Sequence, residues 1–221
     1  MAQARLSMKH LLSNLCLVAA WFIATSSGAS AHPHVWVTIQ TEVIYDAKGQ
    51  VTGLRHAWTF DEMFSAYAIQ GIDHATKGSF TREELSGLAE VNVTSLKEFD
   101  YFTFPRADGK KVPLLDPTDY WMEYKDPALT LHFLLPFKTP VAPKRLQVEV
   151  YDPTIFVDFE PAKDAPVSLV NASPTCQLQV DTPHTPTAGE QLRLGQLDEA
   201  PLDPFSSFGE IFANKFIVTC P

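Results

Sequence analysis

The chain has 221 residues, 45% hydrophobic and 11% aromatic, with a formal charge of −9. That is enough apolar material for a sizeable core, which excludes intrinsic disorder, a collagen-like repeat and a multi-pass membrane protein. The acidic balance also argues against nucleic acid, because phosphate binding needs clustered Lys and Arg.

Residues 1–31 read as a secretory signal peptide. Arg5 and Lys9 form a basic start, Leu11 to Ala24 is apolar apart from Ser13 and Asn14, and Ala29-Ser30-Ala31 is a small-residue cleavage site. The other reading is a single anchor, against which the apolar run is shorter than the roughly 20 residues of a span. Cleavage after Ala31 leaves 190 residues and a charge of −11 (17 less 2 basic against 26 acidic). The expected location is the periplasm, with no membrane span after cleavage. Cys176 and Cys220 then remain, and in an oxidising compartment an even pair forms one disulfide. A thiolate metal pair is the alternative, with no CxxC spacing behind it.

His34 to Tyr45 alternates, with Val35, Val37, Ile39, Val43 and Tyr45 on one face and Thr38, Gln40 and Glu42 on the other. Asp46-Ala47-Lys48-Gly49 turns the chain into a returning strand over Val51–Phe60. Asp61 caps a short helix to about Ile69. Thr81 and Glu84 make a capping box for a helix to about Phe99. Asp108-Gly109 marks a hairpin between Tyr101–Phe104 and Lys111–Leu114. Asp119–Tyr124 and Leu129–Phe137 pair around Asp126-Pro127. Arg145–Tyr151, Ile155–Phe159, Val167–Val170 and Gln177–Val180 complete the expected strands. Asp181 to Phe205, rich in Pro and Thr, reads as a linker or extended loop, and Phe208–Lys215 as a short helix. The expected class is α+β: antiparallel, sandwich-like strands with an EF-hand-like helix pair inserted at about 61–99. The expected organisation is an α+β domain over 32–181 and a Pro-rich extension over 182–221, tied back by the disulfide.

The chemistry-bearing feature is His32-Pro33-His34 at the expected mature start. A terminal His offers its α-amine and Nδ1 to one ion, and a second imidazole completes a brace suited to Ni, Co, Zn or Cu. Pro33 has no amide proton, so a square-planar site built on deprotonated backbone amides is blocked. The bland reading is a solvated strand end. His56 and His132 are weaker candidates, read first as hydrogen-bonded structural residues: His56 shares a face with Trp58, and His132 lies opposite Leu129, Leu131, Phe133 and Leu135. His74 and His184 read as solvated. Asp73 to Glu84 has EF-hand spacing, with Asp73 first, Gly78 sixth, Phe80 eighth and Glu84 twelfth. Ala75 and Lys77 stand where the third and fifth ligands belong, so calcium binding is not expected.

His32-Pro33-His34-Val35-Trp36, Trp58-Thr59-Phe60-Asp61-Glu62, the EF-like loop, Tyr151-Asp152-Pro153-Thr154 and the paired Cys together resemble the domain of unknown function 1007 family. The resemblance covers nearly the whole mature chain. It implies a periplasmic component of an ABC-type transport system, and an association with nickel, cobalt or zinc handling and an inner-membrane metal transporter. Many members carry a fuller acidic EF-hand loop, and this sequence departs from them at Ala75 and Lys77. Asp152 reads either as a turn residue or as an oxygen ligand beside a His. Asp61 and Glu62 read as helix-capping charges.

Two functions follow: a metal-associated accessory or binding protein acting through His32 and His34, or a scaffold docking a transporter through the helix pair. No nucleophile elbow, His-Glu-x-x-His or phosphate loop is present, so no enzyme is expected.

Overall fold

The computed structural model describes residues 33–76, 78–197 and 208–221. The signal segment, His32 and Lys77 lie outside them.

Alternation governs the first hairpin. β1 (Val35–Tyr45) and β2 (Val51–Phe60) each bury every second side chain. The Asp46 carboxylate accepts the Lys48 and Gln50 amides at 2.8 and 2.9 Å, and Gly49 takes φ +74° to close the turn. Gly53 is required on β2, because a Cβ there would sit 2.6 Å from the Leu135 carbonyl oxygen.

Asp61 links strand to helix. Its Oδ1 accepts the Phe64 amide at 2.8 Å and its Oδ2 the Trp36 amide at 3.1 Å, so α1 (Glu62–Ala68) starts at a point pinned to β1. The Thr81/Glu84 capping box forms, and α2 (Ser86–Leu96) follows one turn later. Leu85, Ala89 and Val93, four residues apart, are buried against the core. A 3₁₀ segment (Lys97–Phe102) continues α2 and carries Asp100, Tyr101 and Phe102 in succession in the left-handed region.

β3 (Thr103–Ala107) and β4 (Lys110–Lys111) make the expected hairpin, with Asp108 and Gly109 both at positive φ. β5 (Tyr120–Lys125) pairs with the long β6 (Ala128–Val141). β7 (Arg145–Val150), β8 (Val157–Pro161), β9 (Val167–Val170) and β10 (Gln177–Asp181) lie close to their expected places.

Two late segments differ from expectation. Within the Pro- and Thr-rich stretch, α3 (Ala188–Leu194) forms under a second capping box, Thr187 with Glu190. Of the helix expected over Phe208–Lys215, only a 3₁₀ turn (Gly209–Phe212) exists; the chain then enters β11 (Asn214–Thr219). Asn214, Phe216 and Val218 point inward there, a period-2 pattern too short to outweigh a helical reading.

The strands form two sheets, β5-β6-β2-β1-β8 with β9 also on β1, and β10-β11-β7-β3-β4. Most pairings are antiparallel, but β8 and β9 run parallel to successive halves of β1. β7 belongs to the second sheet, so the chain crosses over before β8 and meets β1 in the same direction. β11 sits inside the second sheet between β10 and β7, which makes the C-terminal segment part of the sandwich. Cys176 and Cys220 form the disulfide on the rung next to Gln177–Thr219. The core is aromatic: Trp58 meets Phe133 edge-on at 4.8 Å and Phe159 at 4.9 Å. No helix among the described residues is long and apolar enough to cross a membrane.

Candidate functional site

The segment Asp152–Phe159, which spans most of the link from β7 and the start of β8, contributes to the walls of two cavities, so its internal order sets the geometry of both. Asp152, 4% exposed, provides that order. Its Oδ1 accepts the Thr154 amide and hydroxyl, each at 2.7 Å, and its Oδ2 accepts the Phe156 and Val157 amides at 3.0 and 2.9 Å. Four donors on one carboxylate describe a turn clamp, which is the turn reading of Tyr151-Asp152-Pro153-Thr154. Gly209 presses on this clamp, since a Cβ there would lie 2.5 Å from the Asp152 carbonyl oxygen. Asp152→Ala is expected to cost about 3 kcal/mol, because it strands buried amides, as read by denaturant unfolding.

The first cavity, about 450 Å³, lies between β8 and the 182–186 segment. Pro33, the first described residue, forms part of its wall, and Asp158, Glu160 and His184 line it too. Burial, reinforced by the nearby Glu160 charge, pushes the Asp158 carboxyl above its usual value. Asn214 also faces this cavity. Its amide donates to the Phe159 carbonyl, while its Oδ1 is buried with no donor. His184 Nε2 lies 3.1 Å from Glu190 Oε2, beside the capping box that starts α3. The Thr187 amide and hydroxyl, with His184, hold the Glu190 carboxyl down to about 2.

His34 projects away from the core, its ring 4.8 Å from Phe156. It therefore stands on the segment that Asp152 clamps. Asp158, Glu160 and Asn214 carried no motif in the sequence. Their only signal is the alternation of β8 and β11, which puts acids and an amide on inward or edge positions. His184, read as solvated, is exposed, at the edge of this wall.

The remaining candidates are dispersed. His56 is fully buried on β2, between the Thr41 hydroxyl at 3.0 Å from Nδ1 and the Thr103 hydroxyl at 3.4 Å from Nε2. It bridges the two sheets, in keeping with a structural histidine. His132 lies on the outer face of β6, stacked on Trp121 at 4.5 Å with 6° between the planes, and 3.4 Å from a Glu123 oxygen. Arg82 covers the other side of Trp121 at 4.3 Å.

In the EF-like loop, Glu84 Oε1 accepts the Ala75 amide at 2.8 Å and Oε2 the Thr81 amide at 2.7 Å. These two amides draw the Glu84 carboxyl below its usual value. The twelfth-position carboxylate thus closes the loop on backbone donors. α1 ends at Ala68, five residues ahead of Asp73, so an EF-hand pair in the strict sense is not what the helices make. Among the described residues no three His, Cys, Asp or Glu side chains come close enough to hold a metal.

A family model described as "Protein of unknown function (DUF1007)" matches residues 17–220. An uncharacterized protein of Haemophilus influenzae is 27% identical over 199 residues, covering 88% of this chain and 94% of that protein. An uncharacterized 15.5 kDa protein in the trpE 3′ region of Spirochaeta aurantia is 34% identical over 106 residues, covering 44% of this chain and 72% of that protein.

Proposed function

The chain belongs to the DUF1007 family of proteins of unknown function, and on that premise we propose that it is a periplasmic metal-associated protein serving a transition-metal transport system. It holds Ni, Co, Zn or Cu through the α-amine and imidazole that signal cleavage exposes at His32, with His34 as the second imidazole.

One observation carries this reading: Pro33 forms part of the wall of the cavity that Asp158, Glu160 and His184 also line. Pro33 follows His32 directly in the chain, so cleavage after Ala31 would present the terminal imidazole one residue from a wall that carries Asp158 and Glu160. An ion there would meet two carboxylates with no salt bridge to a described residue, and the buried Asn214 oxygen, with Lys163 also in the wall. The described residues fall short of a ligand set on their own, and the mature terminus supplies what they lack. Neutral imidazoles and an amine suit borderline divalent ions.

The test starts from protein whose first residue is His32, verified by mass spectrometry, titrated calorimetrically with Ni²⁺, Co²⁺, Cu²⁺ and Zn²⁺. One extra residue ahead of His32 should weaken binding by at least about tenfold, since it removes the amine from the chelate ring. His34→Ala and Asp158→Asn should each weaken it less. Equal affinity in every version removes the site.

A second reading has its own observation. Met63 and Tyr67 on α1 and Val91 on α2 are 79%, 73% and 63% exposed, an apolar display suited to docking a membrane transporter. Retained transport-linked activity in a His32 and His34 double variant, and its loss in Met63→Lys/Tyr67→Lys, would favour that reading.

A further inference from the structure

On the other side of the Asp152–Phe159 segment lies a cavity of about 590 Å³, built almost wholly from apolar side chains. Its aromatic lining includes Trp58, Phe64, Phe99, Phe102, Phe156 and Phe159, and Leu96 from the last turn of α2 closes one side. Well-packed cores leave few voids larger than a water molecule, so an open apolar space of this size stands out as unfilled. Its volume lies within the range of small-molecule sites, roughly 300–1,000 Å³.

Three features describe what would fill it. The first is charge. Among the described residues Asp152 is the one ionisable side chain in the lining, and its oxygens are taken by the four donors of its own turn. No described Lys, Arg or His lines the cavity, so an anionic head group would find no partner among them. The second is the scarcity of free polar groups. The Trp58 indole nitrogen is sealed from the space. Of the other polar side chains of the wall, the Asn92 amide donates to the Leu88 carbonyl, the Ser95 hydroxyl to the Val91 carbonyl and the Thr154 hydroxyl to the Asp152 carboxylate. The third is the backbone that presents the lining. Asp100, Tyr101 and Phe102 are left-handed in succession, an arrangement that L-residues resist. It is held by the Tyr101 hydroxyl donating to Asp116 at 2.8 Å and the Thr103 hydroxyl donating to the Tyr101 carbonyl at 2.8 Å. The result places Phe99 and Phe102 side by side, stacked at 5.2 Å, along the cavity.

We propose that this cavity is a binding site for a neutral, mainly apolar small molecule, aromatic or single-chain acyl. The proposal stands apart from the metal reading, because neither His34, Asp158 nor His184 lines this space, although Phe156, which does, packs against the His34 ring. The two sites share only the clamped segment between them.

The test uses protein starting at His32 and the neutral dye Nile red, a flat aromatic molecule with one carbonyl. Wild-type protein should bind it saturably, one to one, with a blue-shifted emission. 1-Monoolein, a neutral acyl ester, should displace it, and oleate should do so at least tenfold more weakly at pH 8. Leu96→Trp, which fills the cavity from the helix side, should weaken dye binding tenfold or more at an unchanged melting temperature. Ser95→Phe at the exposed rim offers the same blockage without touching the core. A signal that never saturates, or affinity unchanged in both Leu96→Trp and Ser95→Phe, overturns the site.

Discussion

Lowering the pH from 7 towards 4 is expected to strip stability from this protein, with His56 responsible for a separable share. The imidazole is fully buried between the two sheets, with Phe133 at 5.1 Å and Trp58 at 5.6 Å as ring neighbours and two threonine hydroxyls as its polar partners. No carboxylate is bonded to it. Burial therefore penalises the imidazolium, and the folded-state value falls from 6.5 to about 3. The direction of the pH effect follows. As the pH drops below 6.5 the unfolded chain takes up a proton at this position while the native chain does not. Stability from this group is complete above about 6.5 and declines by roughly 1.4 kcal/mol per pH unit as the pH falls towards the folded value. Carboxylates add their own acid dependence, so the His56 share needs a difference measurement. His56→Gln, neutral at every pH, should be less stable than wild type at pH 7.5 but show a shallower loss between pH 6.5 and 4 in urea unfolding. Parallel curves would mean that the imidazole takes its proton in place, and the bridge between the sheets would then have to tolerate a charge.

Reducing the disulfide is the second large effect. Cys176 and Cys220 are separated by 44 positions and join the ends of β10 and β11. In the chain-entropy picture a loop of that length contributes about 4 kcal/mol, near the upper end of what such bonds deliver. For a protein of this size that corresponds to a fall of about 10 °C in melting temperature. The loss should begin locally. β10 is an edge strand whose side chains are largely exposed, so little apolar burial holds it once the covalent tie is gone. Hydrogen exchange in reductant should therefore show Gln177–Asp181 losing protection before Val148 or Phe133 does. The Cys176→Ser/Cys220→Ser variant should reproduce both results without reductant, and a melting temperature unmoved by either treatment would contradict them.

Where the chain signals its structure within a few residues, the signals hold. Asp46 and Gly49 close their turn, Asp61 caps its helix, Thr81 and Glu84 box theirs, and Asp108-Gly109 turns its hairpin, because each depends on a side chain meeting backbone no more than a few positions away. The same logic existed at Thr187 and Glu190 and was masked by Pro183 and Pro186 around it. β11 was hidden for another reason. Six residues of alternating burial after a 3₁₀ turn do not carry enough period to separate strand from helix, and only the neighbouring β7 and β10 ladders decide it.

From its amino-acid order alone, then, this protein has its turns, its caps, its core-facing stripes, an even pair of cysteines after the signal segment, and a His-Pro-His whose chemistry needs no fold to state. Tertiary structure decided the rest. The crossover that brings β8 parallel to β1, the burial of His56 between sheets, the gathering of Asp158, Glu160 and His184 beside Pro33, and the aromatic cavity behind Asp152 all join residues far apart in the chain. Local preference cannot specify such meetings, because they are set by how two sheets and a helical insertion share one apolar interior.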